Sequence, residues 1–181
     1  TFITWITRET NVELEHDDPQ FYLVDQLAKT GKSANEHFKY FIKQRLLRTL
    51  PTKQSIDVIN AFHDEGVWIH LVTARPEDDV TCVHDTYKWL HDVGVKYDDI
   101  TFTHEKMTFA LGTQYHAHGA IITCIEDSPT HVNSYISHGL RCMMPVTAYN
   151  TDVSDCQLLT RYRDHQELRT AIELALEQFV I

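Results

Sequence analysis

The 181-residue sequence lacks a basic block, a long hydrophobic run and any closely spaced pair of cysteines. Its 16 basic and 26 acidic residues give a formal net charge of -10, which disfavours electrostatic binding of a nucleic acid polymer. No apolar run approaches the roughly 18 residues of a membrane helix, so no membrane partner is expected. The first residues also lack the basic segment and apolar stretch of a signal peptide. We therefore expect a cytoplasmic protein.

Cysteine and histidine are present but show no metal-binding pattern. The four cysteines form no CxxC pair, and we interpret them as reduced thiols. The histidines are scattered, whereas a zinc site needs several convergent ligands. Any metal site is therefore expected to depend on carboxylates.

The hydrophobic pattern predicts a single α/β domain over residues 1–181. From residue 54 onward, segments with helical periodicity alternate with short apolar segments that are typical of buried strands. This alternation favours a three-layer, Rossmann-like parallel sheet with helices on both faces. The predicted strands are 67–72, 100–103, 120–125 and 140–145, and the predicted helices are 54–65, 78–93, 104–115, 130–137 and 164–179. Before them we predict a short strand at 2–6 and two helices between 19 and 50, the second from 34 to 50.

Three predicted strands end at residues that could carry chemistry. Thr73 follows the strand 67–72, and its hydroxyl could hold a phosphate oxygen or cap a helix. Lys106 lies just beyond the strand 100–103 and could neutralise an anion or be an exposed lysine. Glu126 and Asp127 follow the strand 120–125, where an acid pair could cap a helix or hold a divalent cation. Since open α/β sheets bind ligands at the carboxyl ends of their strands, we expect these residues to share one site.

The order of these residues resembles the motif order of the haloacid dehalogenase-like superfamily, from about Gln54 to the C-terminus. Val72-Thr73-Ala74-Arg75 is similar to its second motif, Lys106 to its third, and Ile125-Glu126-Asp127-Ser128-Pro129 to its fourth. The segment 145–150, Pro-Val-Thr-Ala-Tyr-Asn, is loosely similar to the Pro-Tyr-Asn ending of the 5'-nucleotidase-like branch. The segment 13–50 would then be a small helical cap inserted after the first strand.

The resemblance implies Mg²⁺-dependent phosphoryl transfer on a small phosphate ester or nucleotide. In that family an aspartate after the first strand attacks phosphorus, and an acid two residues later serves as general acid and base. Thr73, Ala74, Arg75 and Lys106 would contact the phosphoryl oxygens, while Glu126 and Asp127 would hold Mg²⁺. A metal ion and a lysine would offset the charge of the transferring group.

The first motif departs from the family pattern. After the predicted strand 2–6, Thr7 occupies the place of the nucleophile and Glu9 the place of the acid-base residue. A threonine hydroxyl is a weak nucleophile near pH 7 unless a base activates it.

Three interpretations of this departure remain open. The chain could be a degenerate relative that binds a phosphorylated ligand or a partner without hydrolysing it. It could be an enzyme with an altered first motif, in which Glu9 activates water or assists the reaction directly. Alternatively, residues 2–11 are not the first strand and the true motif is lost or displaced. Beyond these, an unrelated doubly wound domain whose acids cap a helix would show the same pattern.

Overall fold

The computed structural model describes residues 8–10, 12–14, 24–43, 53–116 and 121–178. The helices whose bounds lie within this part of the chain are α1 (Val24–Ala28), α2 (Ala34–Lys43), α3 (Lys53–Asp64), α4 (Val80–Val93), α5 (Lys106–His116), α6 (Pro129–Ser137) and α7 (His165–Glu177). The strands are β1 (His70–Thr73), β2 (Asp99–Phe102), β3 (Cys124–Ile125), β4 (Cys142–Pro145) and β5 (Leu159–Tyr162). A short 3₁₀ turn, Ala148–Asn150, follows β4.

All the described strand pairs are parallel. β1 pairs with β2, and β4 lies between β3 and β5 in a second group of three strands. Parallel neighbours need crossover connections, which α4 provides between β1 and β2 and α6 provides between β3 and β4. The expectation of an α/β fold with parallel strands is therefore confirmed.

The side chains of β4 show that helices cover both faces of the sheet. Cys142 and Met144 point into a core with Ala110 of α5 and Val132 of α6. Met143 points the opposite way, into a core that α3 and α7 complete. This alternation follows from the two-residue period of a strand. A near-continuous apolar strand such as β4 is what a sheet buried on both faces requires.

Helices α1 and α2 pack against α4. Leu27 of α1 and both Phe41 and Ile42 of α2 form one buried cluster with Cys82 of α4. The helical prediction for this region holds for residues 24–28 and 34–43. Residues 44–50, which the prediction also included, lie outside the described residues, and the assignment of 13–50 as a cap stays a prediction.

Helix α4 begins later than the sequence suggested. Its N-cap is Asp79, whose side chain accepts a hydrogen bond from the Cys82 amide at 2.9 Å. Thr73 is therefore not the N-cap of this helix. The helix ends at Gly94, which has a φ of 75°, as expected for a glycine in the left-handed region.

Three predicted strands start later than expected and one strand was missed. β1 starts at His70 instead of residue 67, and β4 starts at Cys142 instead of residue 140. Of the described residues 121–125, only Cys124–Ile125 form a strand, because the ladder with β4 begins where the Cys124 amide meets the Arg141 carbonyl. Strand β5, Leu159–Tyr162, was not predicted at all. Its sequence Leu-Thr-Arg-Tyr has no apolar run, so its strand conformation depends on pairing with β4.

Among the described residues, no helix has both the length and the hydropathy that crossing a bilayer requires. The strand predicted at 2–6 and the residue Thr7 lie outside the described residues.

Candidate functional site at the carboxyl ends of the strands

The carboxyl ends of β1 and β2 lie side by side. Thr73 is opposite Phe102, and the Thr103 amide donates a hydrogen bond to the Thr73 carbonyl at 2.8 Å. Ala74 follows Thr73 directly, and Lys106 begins α5 a few residues after β2 ends. Thr73 and Lys106 therefore lie at and just beyond adjacent strand ends at the same edge of the sheet.

A buried ion pair links this edge to the end of β3. The Lys106 Nζ atom lies 2.7 Å from Glu126 Oε2. The two side chains are 15% and 8% exposed, so water screens the pair only weakly. Because Glu126 directly follows β3, the contact brings together the carboxyl ends of both groups of parallel strands. Lys106 and Glu126, which were expected to lie near each other, are therefore in direct contact, while the shared site stays a prediction.

Both carboxylate oxygens of Glu126 have donors. Oε2 meets Lys106, while Oε1 accepts from the backbone amides of Asp127 and Ser128, each at 3.1 Å. Burial favours the neutral form of Glu126, but the bond and charge of Lys106, together with the Ser128 amide, outweigh it and hold its pKa below the usual value. Glu126 therefore acts as an ionised partner of Lys106, and its predicted role as a metal ligand stays a prediction.

Asp127 has a different environment. Its Oδ2 accepts a hydrogen bond from the Tyr149 hydroxyl at 2.9 Å. Burial, followed by the adjacent Glu126 carboxyl group, raises the pKa of Asp127, and the Tyr149 bond opposes that rise. Burial and the Asp127 charge raise the pKa of Tyr149 to about 12, so the phenol stays protonated and donates at neutral pH. A cation beside Asp127 would relieve the repulsion between the two acids.

Asn150 holds the backbone around Asp127. Its side chain is fully buried, and its Nδ2 donates to the carbonyls of Pro145 at 2.7 Å and Asp127 at 3.4 Å. Its Oδ1 accepts from the Thr147 amide at 3.1 Å, and an Arg161 guanidinium nitrogen donates to its carbonyl at 3.3 Å. The turn after β4 is therefore tied to the end of β3 through one buried amide.

The roles of Tyr149 and Asn150 were not predicted from the sequence. The resemblance of segment 145–150 to a Pro-Tyr-Asn ending pointed to these two residues, but it did not indicate that they contact Asp127. Asp127 lies 22 and 23 residues away from them in the chain, and only the folded topology brings the two segments together.

Thr73 and Arg75 have local partners. The Thr73 hydroxyl accepts a hydrogen bond from the Arg75 amide at 3.3 Å. The Arg75 guanidinium donates to the Thr86 hydroxyl at 3.0 Å and lies 5.3 Å from the centre of the Trp89 ring, both on α4. Burial lowers the pKa of Arg75. In this conformation the Arg75 side chain contacts α4, and the phosphate-binding roles of Thr73, Ala74 and Arg75 stay predictions.

Glu9 is an exposed residue in a short helical stretch, 8–10. Its carboxylate lies 3.4 Å from the Arg8 guanidinium, and its side chain is 42% exposed. Among the described residues, Glu9 forms its ion pair with Arg8, the preceding residue in the chain. The catalytic role predicted for Glu9 stays a prediction, as does that of Thr7.

The thiols near the site are poor nucleophiles. Cys124 and Cys142 are opposite each other on β3 and β4. Burial raises the pKa of Cys124 to about 11 and that of Cys142 to about 12, and the charge of Glu126 contributes to both. Neutral thiols neither attack phosphorus readily nor bind metals well, so these two cysteines are not candidate nucleophiles or metal ligands.

The oxygen atoms around Asp127 fit a hard cation such as Mg²⁺. The buried hydroxyl oxygen of Ser128 has no hydrogen-bond partner within the described residues. Ser128 directly follows Asp127 in the chain. Unpaired buried hydroxyls are costly, and Mg²⁺ binds oxygen ligands, commonly one or two carboxylates with water. In the described part of the chain no three His, Cys, Asp or Glu side chains converge, so such a site would combine Asp127 with water.

Comparisons with protein-family models, with curated proteins and with solved structures found no match to this chain.

Proposed function

We propose that this chain is a haloacid dehalogenase-like, phosphatase-type protein that handles a small phosphate ester or nucleotide together with Mg²⁺. The observation that carries the proposal is the 2.7 Å contact between Lys106 and Glu126. It joins two strand ends that the order of motifs assigned independently to one site. A buried ion pair is costly to desolvate, so its position at a ligand-binding edge favours a functional role.

Each residue has a distinct task in this proposal. Lys106 uses part of its ammonium group for Glu126 and has further N–H donors for a phosphoryl oxygen. Asp127 is the carboxylate ligand for Mg²⁺, which when bound would offset the charge of the phosphoryl group. The Thr73 hydroxyl would donate its proton to a second phosphoryl oxygen, since in the structure it serves as the acceptor for the Arg75 amide.

A second candidate is binding without hydrolysis. It is favoured by the sequence, which has Thr7 where the family has an attacking aspartate, and by the exposure of Glu9 beside Arg8. A general base that activates water is usually held within hydrogen-bonding reach of its target in a shielded site. On this reading the chain would be a catalytically degenerate binding or regulatory module.

Hydrolysis of a panel of small phosphate esters, with and without Mg²⁺, tests the two candidates. The proteins to compare are the wild type, Asp127→Asn, Glu9→Gln and the control Asp92→Asn, which removes an exposed carboxylate of α4. Turnover that is lost in Asp127→Asn and Glu9→Gln but kept in the control supports an enzyme with an altered first motif.

Binding is read from thermal stabilisation by the same esters in the presence of Mg²⁺. Stabilisation without turnover, lost only in Asp127→Asn, supports the binding module. If the wild type shows neither turnover nor Mg²⁺-dependent stabilisation with any ester, the proposal is wrong.

A further inference from the structure

One carboxylate oxygen of Asp127, Oδ2, accepts a hydrogen bond from a side chain whose role was not predicted from the sequence. Tyr149 donates its hydroxyl proton to Oδ2 at 2.9 Å. Both side chains are partly buried. A cation approaching Asp127 therefore meets a carboxylate with one oxygen already engaged.

The turn that carries Tyr149 is held firmly against Asp127. The adjacent Asn150 is 0% exposed and binds the carbonyls of Asp127 and Pro145. Arg161 of β5 in turn binds the Asn150 carbonyl. These bonds fix the backbone of the turn, so the Tyr149 hydroxyl leaves Asp127 only if its side chain rotates and gives up the 2.9 Å hydrogen bond.

The geometry points to Tyr149 as a metal-selecting residue that restricts Asp127 to ligation through one oxygen and so favours Mg²⁺ over Ca²⁺. This inference rests on the proposed function, since it concerns the same metal site. Mg²⁺ needs near-octahedral geometry at short distances and commonly takes single carboxylate oxygens with water. Ca²⁺ is larger and often takes both oxygens of one carboxylate. A two-oxygen contact would have to displace the Tyr149 hydrogen bond.

Calorimetric titration of the metal-free protein with MgCl₂ and with CaCl₂ tests this role. The proteins are the wild type, Tyr149→Phe and the control Tyr162→Phe. Tyr162 lies close enough for the charge of Asp127 to help burial raise its pKa to about 12, but its hydroxyl makes no hydrogen bond to a described residue. The control therefore removes the same atom from the neighbourhood without touching the Tyr149–Asp127 bond.

We expect Tyr149→Phe to weaken Mg²⁺ binding by about 10-fold, which is the usual effect of removing a group that orients a metal ligand. The Ca²⁺ affinity should stay the same or rise, so the ratio of the two dissociation constants changes. A loss of general structure would weaken both ions together and leave their ratio unchanged, and the melting temperature of each variant checks the fold.

Two results would overturn the inference in different ways. If the wild type prefers Mg²⁺ and Tyr149→Phe keeps the same ratio, the selecting role is wrong while the metal site stands. If the wild type binds neither ion, the inference and the metal part of the proposed function are both wrong.

Discussion

The ion pair between Lys106 and Glu126 is the residue-scale feature on which the site depends. Replacing Lys106 by Met leaves the Glu126 charge buried with only two backbone donors. We expect this variant to lose about 3 kcal/mol of unfolding free energy, as is typical when one partner of a buried pair is removed. Urea denaturation at pH 7 measures the loss.

The matched control is Lys88→Met, which breaks an exposed lysine–carboxylate pair on α4. Water screens that pair, so the free energy of unfolding should stay nearly unchanged.

Because the folded pKa of Glu126 is lowered, the wild-type pair stabilises the protein above the ordinary glutamate pKa, and this stabilisation is lost as the pH falls through the folded value. Equal stability of Lys106→Met and the wild type at pH 7 would contradict the buried pair.

For a substitution of Asp127 we predict a gain in stability, the opposite of the loss expected for Lys106→Met. Its folded pKa is raised by burial and by Glu126, so ionising it costs stability at neutral pH. Asp127→Asn should raise the melting temperature of the metal-free protein by about 2–4 °C, which corresponds to roughly 1 kcal/mol at this chain length. The gain should vanish at pH values below the ordinary aspartate pKa, where Asp127 is neutral in both states.

Thermal melts with and without Mg²⁺ separate stability from function here. The wild type should be stabilised by Mg²⁺, whereas Asp127→Asn should not respond. A lower melting temperature for metal-free Asp127→Asn would mean that the carboxylate serves the fold and that the metal-ligand interpretation is wrong.

Residue chemistry was predictable where it depended on position along the chain. Lys106 and the acids Glu126 and Asp127 could be placed at strand ends from the apolar pattern, and the structure brings Lys106 and Glu126 into contact. The partner of Asp127 could not be predicted, because Tyr149 reaches it across 22 residues through a turn. Periodicity carries no information about such contacts.

At the scale of elements, the helix ends provide a matched pair of glycine substitutions. Gly94 ends α4 with a φ of 75°, where an added Cβ meets no atom within 4 Å but the backbone conformation is unfavourable. Gly94→Ala should therefore cost about 1 kcal/mol of unfolding free energy. Gly112 lies inside α5, also with open space around its Cβ position, so Gly112→Ala should gain about 0.5–1 kcal/mol.

Chemical denaturation of the two variants measures these opposite signs. Both substitutions add the same methyl group, so the comparison isolates the backbone conformation. A loss in Gly112→Ala as large as that in Gly94→Ala would contradict the assigned helix end.

The order of elements followed from the sequence more reliably than their bounds. The predicted end of the helix 78–93 and the predicted start of the helix 164–179 agree with the structure to within one residue, because Gly94 and Asp164 cap these ends through local chemistry. The start of α4 at Val80 and the short β3 were not predicted, since they depend on which neighbouring groups are available for hydrogen bonding. Strand β5 was not predicted because its conformation depends on its pairing with β4.

On the scale of the whole molecule, two groups of parallel strands present their carboxyl ends to one site. β4 shows directly that helices cover both faces, which is the architecture that the alternating pattern predicted. The formal net charge of -10 makes a local cation necessary for an anionic ligand. Lys106 and a Mg²⁺ ion at Asp127 would supply that positive charge.

The most direct measurement is an experimental structure of the protein crystallised with Mg²⁺ and inorganic phosphate. We expect a metal ion on one oxygen of Asp127 and phosphate within hydrogen-bonding distance of Lys106 Nζ and the Thr73 hydroxyl. If both ions bind elsewhere, or if neither binds at concentrations that saturate ordinary phosphate sites, these strand ends do not form one phosphate-handling site.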